Sequence, residues 1–159
     1  VEENFSSTDG VHTVEDLRAE YQKMLYQNNL NTAVMDYLLA NSTFKDLPKE
    51  VTDYQVNQCL NYYYTMAQYY GYDLDSFLQA AAGYNSADDL LDAMSDSITE
   101  YAREALLYQA VAEAMDIAPT QEQIDTYSAY TETYGANYCT MVALMDAVSE
   151  ALTTGAQVK

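Results

Sequence analysis

The sequence predicts an all-α fold, and three observations support that prediction. Apolar residues recur at spacings of three and four over long stretches, which is the period of one helix face. Helix caps, glycines and prolines divide these stretches into segments. No segment shows the strict apolar and polar alternation of a half-buried strand, and no internal repeat is visible. We therefore expect a domain built of several helices and no sheet.

The most regular segment runs from Ser86 to Met115 and predicts one long central helix. Its apolar stripe alternates steps of three and four through Leu91, Met94, Ile98, Tyr101, Ala105, Tyr108, Ala112 and Met115. Roughly opposite this stripe lies an acidic row of Asp88, Asp92, Asp96, Glu100 and Glu104. The first half of the helix should therefore have one core face and one solvated face. Extra apolar residues after Glu104 predict contacts on more than one side of the second half.

The first helix is predicted from Val14 to about Ala40, with Thr13 as its N-cap. Its apolar stripe consists of Leu17, Tyr21, Met24, Leu25, Met35, Leu38 and Leu39. Two polar residues, Asn28 and Asn31, interrupt the stripe in the middle. Such an interruption indicates partial exposure, a bend or a register-setting polar pair.

The second helix is predicted to start at Pro48 and to end at Tyr70, before Gly71. Its main stripe comprises Val56, Leu60, Tyr63, Ala67 and Tyr70, and an adjoining flank carries Val51, Tyr62, Met66 and Tyr69. This pattern leaves two alternatives open. The helix either buries both faces or leaves one of them for a ligand.

The remaining helices follow from their caps and stops. Asp73, Ser86 and Thr120 are N-caps, and Gly83 and Gly135 end or interrupt helices. The predicted bounds are Leu74 to Ala82, Thr120 to about Tyr134, and Ala136 to about Thr153.

The 159 residues have the length and composition of one ordinary domain, with 49% hydrophobic and 19% charged residues. Residues 1–12 are polar and are expected to be a linker from a preceding domain. Residues 13–159 are then one helical domain. Because the chain starts with Val1, we expect it to be a piece of a longer protein.

The strong acidity excludes one large class of partner. Twenty-five acidic residues against six basic ones give a net charge of −19, which excludes a phosphate backbone and hence nucleic acid. The same acidity favours solubility, keeps a protein with a sticky surface from self-associating, or favours basic partners. No run of about 18 apolar residues is present, so membrane insertion is not expected.

Residues for catalysis or metal binding are scarce. His12 is the only histidine, so neither a catalytic triad nor a multi-histidine metal site is expected within one chain. Cys59 and Cys139 form no CxxC pair, and their pattern allows either buried thiols or one bridge. The acidic row extends along about 24 Å of helix, too far to surround one calcium ion. We therefore expect no enzymatic activity and no cofactor in this segment.

The serial order of helices, caps and turns resembles the C-terminal domain of trigger factor, the bacterial ribosome-associated chaperone. The resemblance covers nearly the whole chain through the segments TVEDLRAEYQK, LLANSTFKDLPKEVTDYQVNQCL, YYGYDLDSFLQAAAG and YQAVAEAMDIAPTQEQIDTYSAYTETYG. It implies an extended helical body with arm-like projections that cradles unfolded polypeptide without ATP or a cofactor. In the family a prolyl-isomerase domain usually precedes this segment. The resemblance is therefore compatible with an isomerase domain elsewhere in the parent protein.

Several features depart from an ordinary trigger factor. The acidity, the 17 tyrosines and a shortened stretch after Gly135 favour a cell-surface or extracytoplasmic bacterial relative. An ordinary member would be cytoplasmic. The segment itself gives no support for ribosome binding, and a homodimer is an open alternative.

Tyrosine and methionine are the side chains that suggest client binding. Tyrosine combines a large contact area with a hydroxyl that tolerates water, and methionine adapts to irregular partners. The candidate client contacts are Tyr62, Met66, Tyr69, Tyr72, Leu107 and Val111. Burial of Leu107 and Val111 would indicate core, whereas an open groove would support a cradle. The alternative function is an acidic helical interaction or spacer module of a cell-surface protein.

Overall fold

The structure, a computed structural model, describes residues 11–155 and consists there of α-helices, short helical turns and loops without strands. The predicted all-α fold is therefore confirmed. Most of the predicted linker, residues 1–10, lies outside the described residues.

Helix α1, Val14–Asn41, begins at the predicted cap. Thr13 Oγ1 accepts a hydrogen bond from the Asp16 N–H at 3.1 Å, and the Asp16 carboxylate accepts one from the Thr13 N–H at 2.8 Å. These hydrogen bonds lower the pKa of Asp16, the Thr13 hydroxyl contributing most. The predicted start is thus confirmed, and the helix ends one residue beyond Ala40.

Helix α2, Lys49–Tyr69, follows Pro48, which lies at the N-cap and not inside the helix. The chain reverses at Gly71, whose φ of 76° is left-handed and suits glycine. Asp73 then caps helix α3, Leu74–Phe77, by accepting a hydrogen bond from the Ser76 N–H at 2.9 Å. The predicted helix from Leu74 to Ala82 is only partly α-helical, because Leu78–Ala82 widens into a π-turn.

The single helix predicted from Ser86 to Met115 is wrong, because the structure has two helices there. Helix α4 is Ala87–Ala93 and helix α5 is Ser95–Met115. Met94 separates them with φ of −95° and ψ of 2°. Backbone hydrogen bonds from Met94 N–H to the Leu90 carbonyl and from Ile98 N–H to the Met94 carbonyl still span the break. The apolar spacing therefore continues through the break, which is why the sequence pattern does not reveal it.

The buried face of α5 also differs from the predicted stripe. Ile98, Tyr108 and Ala112 are buried as predicted, but Tyr101 is 56% exposed and the neighbouring Ala102 is fully buried. Met115 is exposed as well. A fully buried position with close neighbours accommodates an alanine more easily than a tyrosine ring.

The helix predicted from Thr120 to Tyr134 is also wrong, since it divides into three short elements. Helix α6 is Gln121–Asp125, a 3-10 turn covers Ser128–Tyr130, and helix α7 is Thr131–Tyr134. The predicted capping box is confirmed, with Thr120 N–H donating to Gln123 Oε1 at 2.8 Å. The Tyr127 carbonyl accepts a hydrogen bond from Cys139 Sγ at 3.1 Å, so a tertiary contact accompanies the interruption. Helix α8, Ala136–Gly155, completes the described chain.

The chain divides into two compact units, and the division falls within α5. The terminal unit comprises the described residues of 1–41 and 111–159. Within it α1, α6 and α7 pack against α8, and the buried side chains are Val11, Met35, Ala112, Cys139, Ala143 and Val148.

The central unit comprises residues 42–110. Within it α2 packs against α3 and α4. Its buried side chains are Ala67, Phe77, Leu78, Leu90, Ile98, Ala102, Leu107 and Tyr108. The prediction of one domain over residues 13–159 stays a prediction.

Candidate functional site

Most of the candidate residues on α2 and just after it are exposed. Tyr62 is 61% exposed, Tyr69 is 81% exposed, and Tyr72 is also exposed, whereas Met66 is half-buried. We call these four residues the α2 flank. Steps of four and three separate Tyr62, Met66 and Tyr69, so these three residues lie on one side of the helix. The flank is therefore a surface of aromatic rings around one methionine.

The exposed rings of the flank are supported by neighbouring aromatic side chains. Tyr62 contacts Tyr63 edge to face with ring centroids 5.3 Å apart, and Tyr69 contacts Tyr70 in the same way at 5.1 Å. The second ring of each pair is itself supported. Tyr63 contacts Tyr84 edge to face at 6.1 Å, and Tyr70 stacks on the buried Phe77 at 6.0 Å. Such pairs contribute about 0.5 to 1.5 kcal/mol each, which helps to hold the exposed rings in place.

A mainly apolar groove of about 400 Å³ lies beside the flank within the central unit. The α2 side contributes Gln55, Gln58, Cys59, Tyr62 and Tyr63, and the other side contributes Met94, Ile98 and Tyr101. Tyr62 thus belongs to both the flank and the groove, and the exposed Tyr101 lies across from it. A groove of this size has room for one or two large apolar side chains of a partner.

The polar groups of the groove are neutral. Burial raises the pKa of the Cys59 thiol, and burial is also the largest cause of the raised pKa of Tyr63. Both groups therefore remain protonated at neutral pH. The glutamines Gln55 and Gln58 add uncharged donors and acceptors. The groove can receive an apolar segment and form hydrogen bonds without opposing charge.

The two other candidates do not join the flank. Leu107 is only 6% exposed and belongs to the core of the central unit. It lines a second cavity of about 360 Å³ with Leu106, Ala110 and the segment 42–46. This burial favours a core role for Leu107, and its assignment as a client contact stays an untested prediction. Val111 is half-buried and belongs to the terminal unit.

Both cysteines are free thiols, Cys59 half-buried and Cys139 buried. Within residues 11–155 no group of three or more histidine, cysteine, aspartate or glutamate side chains is arranged to hold a metal ion. The acidic row is solvated over Asp88, Asp92, Asp96 and Glu100. None of the helices that the structure describes has the length and apolar character needed to cross a membrane.

Sequence reasoning did not identify the opposite side of the groove. The sequence pattern places Met94, Ile98 and Tyr101 on the core stripe, because their spacing of three and four is also that of a buried helix face. Whether these residues line a groove depends on how far α2 stands from the α4 and α5 segment. No local pattern reports that distance.

The terminal unit holds a second aromatic cluster that the sequence analysis did not single out. Tyr134 and Tyr138 have ring centroids 4.7 Å apart, and Tyr130 lies within 6.5 Å of both. The neighbouring Tyr127 hydroxyl donates a hydrogen bond to the Asp146 carboxylate, which raises the pKa of Tyr127 to about 12. This bond ties the segment before the 3-10 turn to α8.

Comparison with known proteins identifies the family. A family model described as the bacterial trigger factor protein C-terminus matches residues 13–152. The chain belongs to the trigger factor C-terminal family. The family is a chaperone family, and its C-terminal domain is a chaperone module. The resemblance inferred from the order of helices and caps is thereby confirmed.

Individual trigger factors are similar to the chain at low identity. The trigger factor of Streptococcus pyogenes serotype M5 (strain Manfredo) is 25% identical over 122 residues, covering 72% of this chain and 28% of the relative. The same identity and coverage apply to the trigger factor of serotype M1. For serotype M4 (strain MGAS10750) the match covers 26% of the relative. The chain thus spans between a quarter and a third of the length of these curated relatives, and no solved structure matches it.

Proposed function

We propose that this chain binds unfolded polypeptide segments without ATP, and that the α2 flank with its adjoining groove is the contact surface. Membership in a chaperone family supports the function. The observation that supports the location is the exposure of Tyr62 and Tyr69, which carry two of the largest apolar surfaces on α2. Leu107 is not included because it is buried.

The chemistry of the flank suits clients of varied sequence. A tyrosine ring can pack on aliphatic or aromatic side chains while its hydroxyl stays in water, and Met66 can adjust its shape. The groove beside them accepts an apolar side chain of the client. Gln55 and Gln58 are available for hydrogen bonds to a client backbone, which is the same for every sequence.

The expected affinity is modest. Covering the exposed part of one such tyrosine contributes on the order of 2 kcal/mol at about 25 cal/mol per Å². Ordering of the client and of side chains opposes this gain. A few such contacts therefore give weak and reversible binding, which a chaperone needs in order to release its clients. We assign no reaction to this segment, and any peptidyl-prolyl isomerisation by the parent protein would belong to another domain.

The test is suppression of aggregation of an unrelated unfolded protein, measured by light scattering. The wild-type chain should suppress aggregation at stoichiometric ratios. A Tyr62→Ser, Tyr69→Ser double variant should need roughly tenfold more chain for the same effect, which corresponds to about 1.4 kcal/mol. Met66 is left unchanged because it is half-buried and its replacement would also alter packing.

The matched control is a Tyr37→Ser, Tyr130→Ser double variant, which removes two exposed tyrosines outside the central unit. It should act like the wild-type chain. Equal losses in the two double variants would contradict the location of the site. No suppression by the wild-type chain would contradict the chaperone function and favour the acidic interaction or spacer module.

A further inference from the structure

The aromatic cluster of the terminal unit brings three tyrosine rings together at one end of α8. We call it the tyrosine triplet: Tyr130, Tyr134 and Tyr138. Tyr130 ends the 3-10 turn, Tyr134 ends α7, and Tyr138 lies in the first turn of α8. Tyr130 is 49% exposed and Tyr134 is 39% exposed, while Tyr138 is half-buried. The triplet is therefore an aromatic surface that solvent reaches.

The chain itself holds the three rings together. Gly135 separates α7 from α8 with a φ of 86°, a left-handed conformation that favours glycine. The rings of Tyr134 and Tyr138, on either side of this glycine, have centroids 4.7 Å apart. Cys139 Sγ donates a hydrogen bond to the Tyr127 carbonyl at 3.1 Å, which fixes the segment before the 3-10 turn on α8. A surface arranged in advance loses less conformational entropy when a partner binds.

The spacing of the triplet suits one cation. Its centroids are 4.7, 6.3 and 6.5 Å apart, and its ring planes are inclined to one another by 33°, 46° and 70°. Because no two centroids are more than 6.5 Å apart, one cation above the triplet can lie within about 6 Å of all three centroids. That distance is the range of a cation–π contact. Aromatic cages bind ammonium groups through several inclined rings in the same way.

The charge of the surrounding segment favours a cation over an apolar or acidic group. Residues 111–155 include seven acidic residues and no basic residue. One of the acidic residues, Glu132, lies between Tyr130 and Tyr134 in the sequence and is exposed. A segment with charge of one sign produces a negative potential that attracts cations and repels carboxylates. The aromatic rings and the charge therefore select the same kind of ligand.

A contact of this kind already occurs inside the chain, in the central unit. The Arg103 guanidinium carbon lies 5.9 Å from the centroid of the Phe44 ring. Over the part of the chain that the structure describes, no guanidinium or ammonium group makes such a contact with the triplet. The triplet is thus open to a cation of a partner.

We propose that the tyrosine triplet binds an arginine side chain of a partner polypeptide. Arginine suits the triplet better than lysine, because its planar guanidinium stacks on aromatic faces and is more weakly hydrated. A polypeptide with several basic residues suits it better than a single free cation, because the carboxylates of residues 111–155 attract the other basic residues. The α2 flank belongs to the other unit, so this inference goes beyond the proposed function and does not rest on it.

The test is fluorescence anisotropy of a short labelled peptide of glycine, serine and arginine, titrated with the full chain. The wild-type chain should bind this peptide, and a peptide with uncharged citrulline in place of arginine should bind about tenfold more weakly or worse. A Tyr130→Leu, Tyr134→Leu double variant should bind the arginine peptide about five- to tenfold more weakly than the wild type. Its net charge is unchanged, so general attraction to an acidic chain stays the same.

A Tyr130→Phe, Tyr134→Phe double variant separates the rings from their hydroxyls. It keeps both ring faces and should bind the arginine peptide within about twofold of the wild type. Added salt should weaken binding to the wild type and to the leucine variant, but the ratio of their affinities should persist. Salt screens attraction between distant charges more than it screens a direct ring contact. Circular dichroism checks that each variant retains its helix content.

The matched control is a Tyr26→Leu, Tyr37→Leu double variant, which removes two exposed tyrosines of α1 in the same unit. It should bind the arginine peptide like the wild type. The Tyr62→Ser, Tyr69→Ser variant of the α2 flank should also bind this peptide like the wild type. The arginine site and the client surface can therefore fail independently.

Several outcomes would overturn the proposal. Absence of binding to the wild type, or equal affinity for the arginine and citrulline peptides, would mean that the chain does not recognise the cation. Unchanged binding by the leucine variant, or an equal loss in the α1 control, would place the contact elsewhere on the acidic surface. A phenylalanine variant as weak as the leucine variant would assign the binding to the hydroxyls and not to the ring faces.

Discussion

Helices α2 and α8 have nearly the same length but opposite relations to solvent. Helix α2 has 21 residues and buries only Ala67, while α8 has 20 residues. The buried residues of α8 are Cys139, Ala143 and Val148, and the most exposed large side chains of α2 are Tyr62, Tyr64 and Tyr69. Apolar or aromatic content alone does not account for this difference.

The number of packing partners accounts for it. Helices α1, α6 and α7 and the 3-10 turn all pack against α8, whereas α2 packs against α3 and α4. The buried residues of α8 are small or compact, which allows neighbours to approach from several sides. Tyrosine tolerates the solvent-exposed side of α2 because its hydroxyl remains hydrated. One helix organises a core, and the other presents a surface that we propose for client binding.

The largest expected effect is on the free energy of unfolding. It compares a carboxylate placed at a buried position of α8 with one placed at an exposed position of α2. Val148→Asp puts a carboxylate at a fully buried position and should lower the free energy of unfolding by about 3 to 5 kcal/mol. Tyr69→Asp makes a similar change at an 81% exposed position and should lower stability by only about 0.5 to 1.5 kcal/mol, through loss of the ring contact with Tyr70. Urea unfolding followed by circular dichroism measures both. Similar destabilisation by the two variants would remove the contrast between the helices.

A smaller loss of stability is expected from a substitution at Ala67, the one buried position of α2. Ala67 is fully buried, so Ala67→Leu should overpack the contact and destabilise the chain by about 1 to 3 kcal/mol. Thr65→Leu on the same helix adds a leucine at an exposed position and serves as the control. Thermal unfolding of both variants would show whether α2 is held at this point. An unchanged midpoint for Ala67→Leu would mean that the helix is not closely packed there.

The smallest expected effect concerns the hydrogen bond from Tyr127 to Asp146 on α8. Tyr127→Phe removes it, and stability should fall by roughly 0.5 to 1 kcal/mol because the bond is partly open to solvent. The pKa of Tyr127 is raised from 10.0 to about 12, so its contribution is fully present below pH 10 and is lost as the pH rises toward 12. The stability difference between wild type and variant should therefore shrink over that range. A difference that stays constant across this pH range would contradict the bond.

Helix starts were predictable because their causes are local. Thr13, Asp73, Ser86 and Thr120 all cap helices as predicted, each accepting a hydrogen bond from the backbone N–H three residues later. Such a bond depends only on residues within one turn. Three of the four flank residues, Tyr62, Met66 and Tyr69, were predicted by spacing for the same reason, since their places on one side of α2 follow from the helical period. The sequence left open whether these residues are buried or exposed.

Breaks inside helices and the choice of buried residues were not predictable in this way. The interruption after Asp125 coincides with a contact between the Tyr127 carbonyl and Cys139, residues that are twelve positions apart. Tyr101 and Ala102 are adjacent in sequence, yet the smaller one is buried and the larger one lines the groove. Spacing placed Tyr101 on the core stripe and left Ala102 outside it.

The sequence by itself determined the helical class, the caps, the acidity and the family resemblance, because short-range hydrogen bonds, helical period and composition are properties of neighbouring residues. Only the tertiary structure decided which tyrosines remain in solvent, where the groove opens and that Leu107 is buried in the core of the central unit. Burial depends on how closely another helix approaches, and that distance is set by packing between segments far apart in the chain.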